Sequence, residues 1–156
     1  LEGIPSDAAL HEILKRVFSG MHVVIEFNED WAKVLYDQGF LSQAITDWGC
    51  AQDGFWYGNG WGYIGDVVGK GRLPFSPVLS TNSWEVRDAP NGFYPLESDY
   101  NTTVYGMWMA RHDQLRALIA TIDYGEGMLI LNSAYPYQQD DVISQLILIQ
   151  LLSLKK

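Results

Sequence analysis

The stretch Ile119-Ala-Thr-Ile-Asp-Tyr-Gly-Glu-Gly-Met-Leu-Ile-Leu-Asn132 decides the fold. Apolar and β-branched residues run up to Tyr124 and resume after Gly127, with a glycine-containing connection of two residues between them. Such a connection typically joins two antiparallel strands. The sequence therefore predicts a β-hairpin with strands at 115–124 and 127–134.

Further strands are predicted upstream of this hairpin. A β-rich segment at 103–112 precedes it, so the second half of the chain should form an antiparallel meander. A helix over 111–121 is the alternative, because the residues from 114 to 120 have fair helix propensity. We favour strand, since this segment runs into the hairpin without a helix stop. Strands are also predicted at 63–68 and 83–87, separated by a loop containing Pro74 and Pro77, and Asn91-Gly92 predicts a turn.

The first third of the chain predicts helices around one buried strand. Residues 5–20 carry helical spacing, with Ser6 or Asp7 at the start and Gly20 at the end. The apolar positions of this helix are Leu10, Ile13, Leu14, Val17 and Phe18. A strand follows at 21–27. Asn28 should then cap a second helix that runs to about residue 38 and closes at Gly39, and a short third helix is predicted over 42–48.

The C-terminal segment 140–156 predicts a closing helix. Asp140 and Asp141 suit its positive end, and Lys155 and Lys156 suit its negative end. About 15 residues span only ~22 Å, short of a ~30 Å bilayer core, so we do not expect a membrane span. Its apolar residues lie nearly all round, which predicts packing on the sheet or contact with a second copy through residues 141–154.

These elements predict an α+β fold in a single domain over residues 1–156. Helices come first, the antiparallel meander follows in the second half, and the apolar C-terminal helix packs on the sheet.

The charge of the chain limits the classes of partner that it is expected to bind. Nineteen acidic residues stand against ten basic ones, for a formal net charge of −9. Between residues 26 and 66 the only base is Lys33, against seven carboxylates: Glu26, Glu29, Asp30, Asp37, Asp47, Asp53 and Asp66. Such a field repels nucleic acid and anionic membranes, so we expect neither as a partner. We expect a basic protein partner; the alternative is that the acidity serves solubility alone.

Residues 47–66 are the predicted contact surface. They hold six glycines and six aromatic rings. Glycine-rich turns lie at the surface, and Trp and Tyr dominate the hot spots of protein interfaces. We therefore predict partner-binding roles for Trp56, Tyr57, Trp61, Asp47, Asp53 and Asp66. The alternative is that rings such as Trp48 and Tyr63 fill the core.

This profile is typical of small acidic proteins that bind and neutralise a basic toxin or nuclease, as immunity proteins and inhibitors do. A structural or assembly subunit is a further alternative. The chain holds one cysteine and therefore cannot form an internal disulfide, so we expect a cytoplasmic protein. Secretion is the alternative, because the chain does not begin with Met.

Cofactor and metal motifs are incomplete. The glycines from Gly60 to Gly65 match G-x-G-x-x-G, but further glycines and a proline follow where that fingerprint needs a helix. His11, His22 and His112 lack the spacing of metal ligands. We expect no cofactor and no metal.

One catalytic hypothesis remains, centred on Cys50. A thiolate nucleophile needs a neighbouring base, and His112 could serve, with Asp113 or Asp123 orienting the ring. The stretch W-G-C-A-Q-D-G-F-W-Y-G around Cys50 resembles the cysteine region of CHAP-type amidases and peptidases. The resemblance implies a Cys–His hydrolase in which the cysteine opens a helix and the histidine begins a later hairpin strand. That histidine would lie near Ala117 in this chain.

Overall fold

The structure, a computed structural model, describes residues 1–50, 62–64, 91–109, 115–133 and 142–155. Its elements are α1 (Asp7–Phe18), β1 (His22–Glu26), α2 (Glu29–Asp37), β2 (Asp47–Cys50), β3 (Gly62–Ile64), β4 (Asn91–Tyr94), β5 (Thr102–Met109), β6 (Leu115–Tyr124), β7 (Gly127–Asn132) and α3 (Val142–Leu152). The predicted α+β class is confirmed, with helices at the start, a β5–β6–β7 meander and an apolar helix at the end.

The strands form one mostly antiparallel sheet around β6. Its main path runs β1-β7-β6-β4-β2, while β5 pairs with β6 and with β3. Ala117 of β6 is paired to Phe93 of β4 and to Met107 of β5. Because a strand residue has one partner on each side, β5 runs along one edge of β6, and β7 and β4 share the other. The pairing of β1 with β7 is parallel, with Val23 opposite Leu129.

The predicted hairpin is confirmed at the β6–β7 connection. Tyr124 pairs with Gly127, and Gly125 has a φ of +58°, a conformation that favours glycine. A Cβ at Gly127 would overlap the carbonyl oxygens of Met21 and Val17, so this position also needs glycine. The tip of the hairpin therefore packs directly on the end of α1.

The two N-terminal helices are confirmed together with their caps. Ser6 Oγ accepts a hydrogen bond from the N–H of Ala9 at 3.4 Å, and Asn28 Oδ1 accepts one from the N–H of Trp31 at 3.0 Å. Gly20 follows α1 with a φ of +111°, and Gly39 follows α2 with a φ of +75°. Glycine at such positions ends a helix without steric cost.

The main hydrophobic core lies between α1, α2 and one face of the sheet. Its buried residues are Leu10, Leu14, Val17, Val23, Ile25, Phe27, Trp31, Ala32, Leu35, Phe40, Leu41, Phe93, Ala117, Ala120, Ile122, Leu129 and Leu131. Helix α3 contacts β1, and its buried Leu151, like the buried Leu154 that follows the helix, lies outside this cluster. Helix α3 therefore covers a part of the sheet that α1 and α2 leave uncovered.

The short third helix predicted over 42–48 is wrong. Residues 42–46 are irregular, and β2 begins at Asp47. The N–H of Ser42 donates to the carbonyl of Glu97, and the N–H of Thr46 donates to the carbonyl of Tyr94. A segment whose N–H groups bond to a distant part of the chain cannot form the i to i−4 bonds of a helix.

The turn predicted at Asn91-Gly92 is also wrong. Both residues lie in β4, where Asn91 pairs with Cys50 and Gly92 pairs with Gly49. The local turn signal is overridden by pairing with a strand some forty residues earlier.

Other predictions fall only partly on the described residues. The strand preferred over a helix at 111–121 is confirmed from residue 115 onward, and 110–114 lie outside the described residues. Of the strand predicted at 63–68, residues 63–64 belong to β3, while 65–68, the strand at 83–87 and the proline loop lie outside the described residues. Among the parts of the chain that the structure describes, no helix is long and apolar enough to cross a bilayer.

Candidate functional site

Asp47, the first predicted site residue, binds Arg116. Nε of Arg116 lies 3.0 Å from Oδ2 of Asp47, and Nη2 lies 2.6 Å from Oδ1, so the pair is bidentate. The side chains are only 11% and 29% exposed for Arg116 and Asp47 respectively. The pair links β2 to β6 across the intervening β4. The carboxylate of Asp47 thus stabilises the sheet, and its predicted role toward a partner stays a prediction.

Trp48 packs at the margin of the core. Its ring centroid lies 5.6 Å from that of Phe27 and 5.8 Å from that of Phe93, and these two phenylalanine rings are 4.7 Å apart. Trp48 is partly buried against the main core, as the alternative interpretation of the aromatic stretch expects. The beginning of residues 47–66 is therefore anchored to the folded sheet.

The remaining residues of the predicted contact surface are mostly undescribed. Trp56, Tyr57, Trp61, Asp53 and Asp66 lie outside the described residues, and their assignments stay predictions. Between Cys50 and Asp66 the structure describes only β3, in which Tyr63 pairs with Met107 of β5.

Among the described residues, the structure does not bring together the side chains of the catalytic hypothesis. Cys50 is the last residue of β2, while His112 and Asp113 lie outside the described ranges. Ala117, where the family resemblance would place a histidine, is buried beside Phe93. Asp123, the other carboxylate considered, accepts a hydrogen bond from Nδ2 of Asn101 at 2.8 Å.

No metal centre is assembled within the described ranges either. No group of three or more His, Cys, Asp or Glu side chains there is placed to hold an ion. His11 lies on the exposed side of α1, and His22 begins β1.

The structure reveals an aromatic cluster that the sequence did not predict. Four rings meet at one end of the molecule: Phe18, Phe40, Tyr100 and Tyr124. Phe40 stacks on Tyr100 with centroids 5.3 Å apart, and the edge-to-face contacts of Tyr124 with Phe18, Phe40 and Tyr100 measure 5.2, 4.9 and 5.7 Å. Phe18 is 55% exposed and Tyr100 is 37% exposed, whereas Phe40 is buried. The aromatic cluster thus has a buried base and two exposed rings.

Each ring comes from a different segment. Phe18 ends α1, Phe40 follows α2, Tyr100 precedes β5 and Tyr124 ends β6. The backbone holds these segments together, since the N–H of Glu126 donates to the carbonyl of Phe18 and the N–H of Asp123 donates to that of Asn101, both at 2.9 Å.

No local signal could have found this cluster. Phe18 continues the apolar spacing of α1, which predicts a buried side chain, and the other three residues lie far from it in the sequence. Only the folded sheet brings the four segments together.

Carboxylates flank two of the four rings along the chain. Asp99 precedes Tyr100 and Glu126 follows Tyr124 at the hairpin tip, and both are exposed. Lys15 and Arg16 occupy the last turn of α1, where Arg16 Nε lies 3.0 Å from Oε1 of Glu12. The hydrogen bond from Arg16 lowers the pKa of the exposed Glu12 carboxyl and so favours its charged form.

The chain matches none of the known protein-family models, and no curated protein sequence matches it.

Proposed function

We propose that the protein binds a basic protein partner and neutralises it by covering its surface. The observation that supports this most is the way charge is distributed over the described residues. Of the five bases among the described residues, Arg16, Lys33 and Arg116 are each held by a carboxylate of this chain, and Lys15 and Lys155 are exposed. Exposed carboxylates remain on α2, on the segment before β5 and at the hairpin tip: Glu29, Asp30, Glu97, Asp99 and Glu126.

A surface with this imbalance attracts cationic proteins over a long range. Acidic charge raises the rate of encounter with a basic partner and repels acidic ones, while affinity comes from apolar anchors. Residues 47–66 supply the proposed anchors, with Trp56, Tyr57 and Trp61 as rings and Asp53 and Asp66 as steering charges. Because Asp47 is engaged by Arg116, we assign it to holding the base of this stretch on the sheet.

The test begins with affinity capture from a lysate of the source organism, at low and at high salt. A basic protein that is retained at low salt and released at high salt is the expected result. Trp61→Ala should then weaken binding of that protein by about 2 kcal/mol or more, as hot-spot truncations do. Asp53→Asn and Asp66→Asn should mainly slow association, and the effect should shrink as salt rises.

Asp37→Asn is the matched control, because it removes a carboxylate that Lys33 already engages on α2. Its effect on the association rate should be smaller than that of Asp53→Asn. The proposal fails if capture yields no basic protein, or if the captured protein binds equally well after the tryptophan and both aspartates are changed.

A further inference from the structure

We propose that the aromatic cluster of Phe18, Phe40, Tyr100 and Tyr124 is a docking site for basic side chains of a protein partner. In this arrangement an arginine or lysine of the partner lies against the exposed rings of Phe18 and Tyr100. The inference rests on the proposed function, which supplies the basic charge of the partner, and it adds contact residues other than those at 47–66.

The geometry of the aromatic cluster is suited to recognition because its rings are held in place. Tyr124 contacts Phe18 and Tyr100 edge to face, and the buried Phe40 supports Tyr100 from beneath at an interplanar angle of 28°. Side chains that are ordered before binding lose little conformational entropy when a partner arrives. The exposed rings therefore offer a preformed surface to a partner.

The electrostatics of the same surface favour a cation. Aromatic ring faces are negative and attract ammonium and guanidinium groups. Asp99 and Glu126 flank the rings along the chain and are exposed. The C-terminal end of α2, just before Phe40, carries partial negative charge, and its last turn holds no basic residue.

The basic residues nearest along the chain do not cancel this field. Arg16 is paired with Glu12, and Lys15 lies in the last turn of α1, where it offsets the dipole of that helix. Asp99, Asp123 and Glu126 leave the segments around the rings acidic. A basic side chain is therefore the occupant that matches both the rings and the charge.

The test uses the full chain and short peptide probes of defined charge. One peptide alternates glycine with arginine, a second replaces each arginine by lysine, and a third replaces each by citrulline, which is planar but uncharged. NMR signals of the aromatic rings report where a peptide binds, and titration gives its affinity. The arginine and lysine peptides should shift the ring signals of Phe18, Tyr100 and Tyr124, and the citrulline peptide should not.

Two variants test whether binding needs an aromatic ring or only apolar surface area. Phe18→Leu and Tyr100→Leu keep apolar area but remove the ring face, and each should weaken binding of the arginine peptide about two- to five-fold, the range for exposed cation–π contacts. Phe18→Tyr, which keeps the ring, should restore affinity. Tyr94→Leu is the matched control, because Tyr94 is comparably exposed but lies at the end of β4, outside the aromatic cluster.

The outcomes distinguish this inference from the proposed function. If the arginine peptide binds in a salt-dependent way but the leucine variants change nothing, the inference fails and the proposed function stands. If no charged peptide binds even at low salt, the inference fails and the proposed function loses support. Equal binding of the citrulline peptide, or a change of oligomeric state in Phe18→Leu, also overturns the inference, because the surface would then serve an uncharged partner or a second copy.

Discussion

Asp47 has a different role from the one that its neighbours in the sequence suggest, because its carboxylate binds Arg116 of the same chain. Asp47 stands at the head of an acidic, aromatic stretch, which predicts a carboxylate that faces a partner. The structure gives it an intramolecular base in β6, 69 residues away. Sequence alone could not identify this pair, because nothing local to Asp47 marks Arg116 as its neighbour.

Replacing Asp47 by Asn should destabilise the protein. The change takes the bidentate carboxylate away from the guanidinium of Arg116, which is 11% exposed, and losing hydrogen bonds to a charged group at such a site costs about 1–3 kcal/mol. Urea unfolding followed by tryptophan fluorescence would measure the loss. Asp37→Asn is the control, because its ion pair with Lys33 is exposed and should contribute less than about 0.5 kcal/mol. Equal effects for the two variants would contradict a structural role for Asp47.

At the scale of elements, α3 has two kinds of apolar residue. Leu151 is buried, as is Leu154 just beyond the helix, whereas Ile149 is 56% exposed and Leu152 is 53% exposed. The sequence predicts an apolar helix without a polar face, and it leaves open which side is covered by the sheet and which by a second copy. The structure places Leu151 and Leu154 in the interior of this chain, and among the described side chains of this segment Ile149 and Leu152 are exposed apolar residues that a second copy could contact.

The two sides of α3 should respond differently to substitution. Leu151→Ala removes a fully buried side chain and should lower the free energy of unfolding by about 2–5 kcal/mol. Ile149→Asp places a charge on the exposed side, so the variant should fold with nearly unchanged stability. If the helix also joins two copies, Ile149→Asp should convert an oligomer into a monomer, which sedimentation equilibrium would measure. Unfolding of Ile149→Asp would contradict the exposed position of this side chain.

The sequence predicted helices and strands correctly where the signals lie within a few residues of each other. It failed where pairing with a distant strand determines the local structure. The cap at Asn28, the spacing along α1 and the glycines of the β6–β7 hairpin each act within a few residues, so the sequence predicts these elements correctly. Residues 42–48 and Asn91-Gly92 carry local signals for a helix and a turn. Both segments instead belong to the neighbourhood of β2 and β4, whose pairing joins parts of the chain that no short window contains.

For the whole molecule, the strand β7 connects the two halves of the chain. It pairs in parallel with β1 from the N-terminal part and antiparallel with β6 from the C-terminal part, and all six of its residues are buried. Helix α1 also contacts β7. The first helices and the meander therefore share one core because β7 lies between them.

A chain that ends after Glu126 should consequently fail to fold. It retains α1, α2 and the strands up to β6, but β1 loses β7 and the main core loses Leu129 and Leu131. We expect residual helical circular dichroism without a cooperative thermal transition. A chain that ends after Leu154 is the control and should melt cooperatively, since Leu154 is the last buried residue in the described part of the chain. A cooperative melt of the shorter chain would show that its elements fold without β7.

The parallel pairing of β1 with β7 has a further consequence during protein synthesis. The two strands are separated by about 100 residues. At roughly 5–20 residues per second, the ribosome needs about 5–20 s to translate this interval. Until β7 has been made, β1 has no strand to pair with, and the core around Ile25, Trp31 and Leu35 lacks Leu129 and Leu131. The carboxylates concentrated in the same part of the chain give neighbouring nascent chains on one messenger the same sign of charge. Chains of like charge repel one another, which lowers their rate of encounter while β1 has no partner strand.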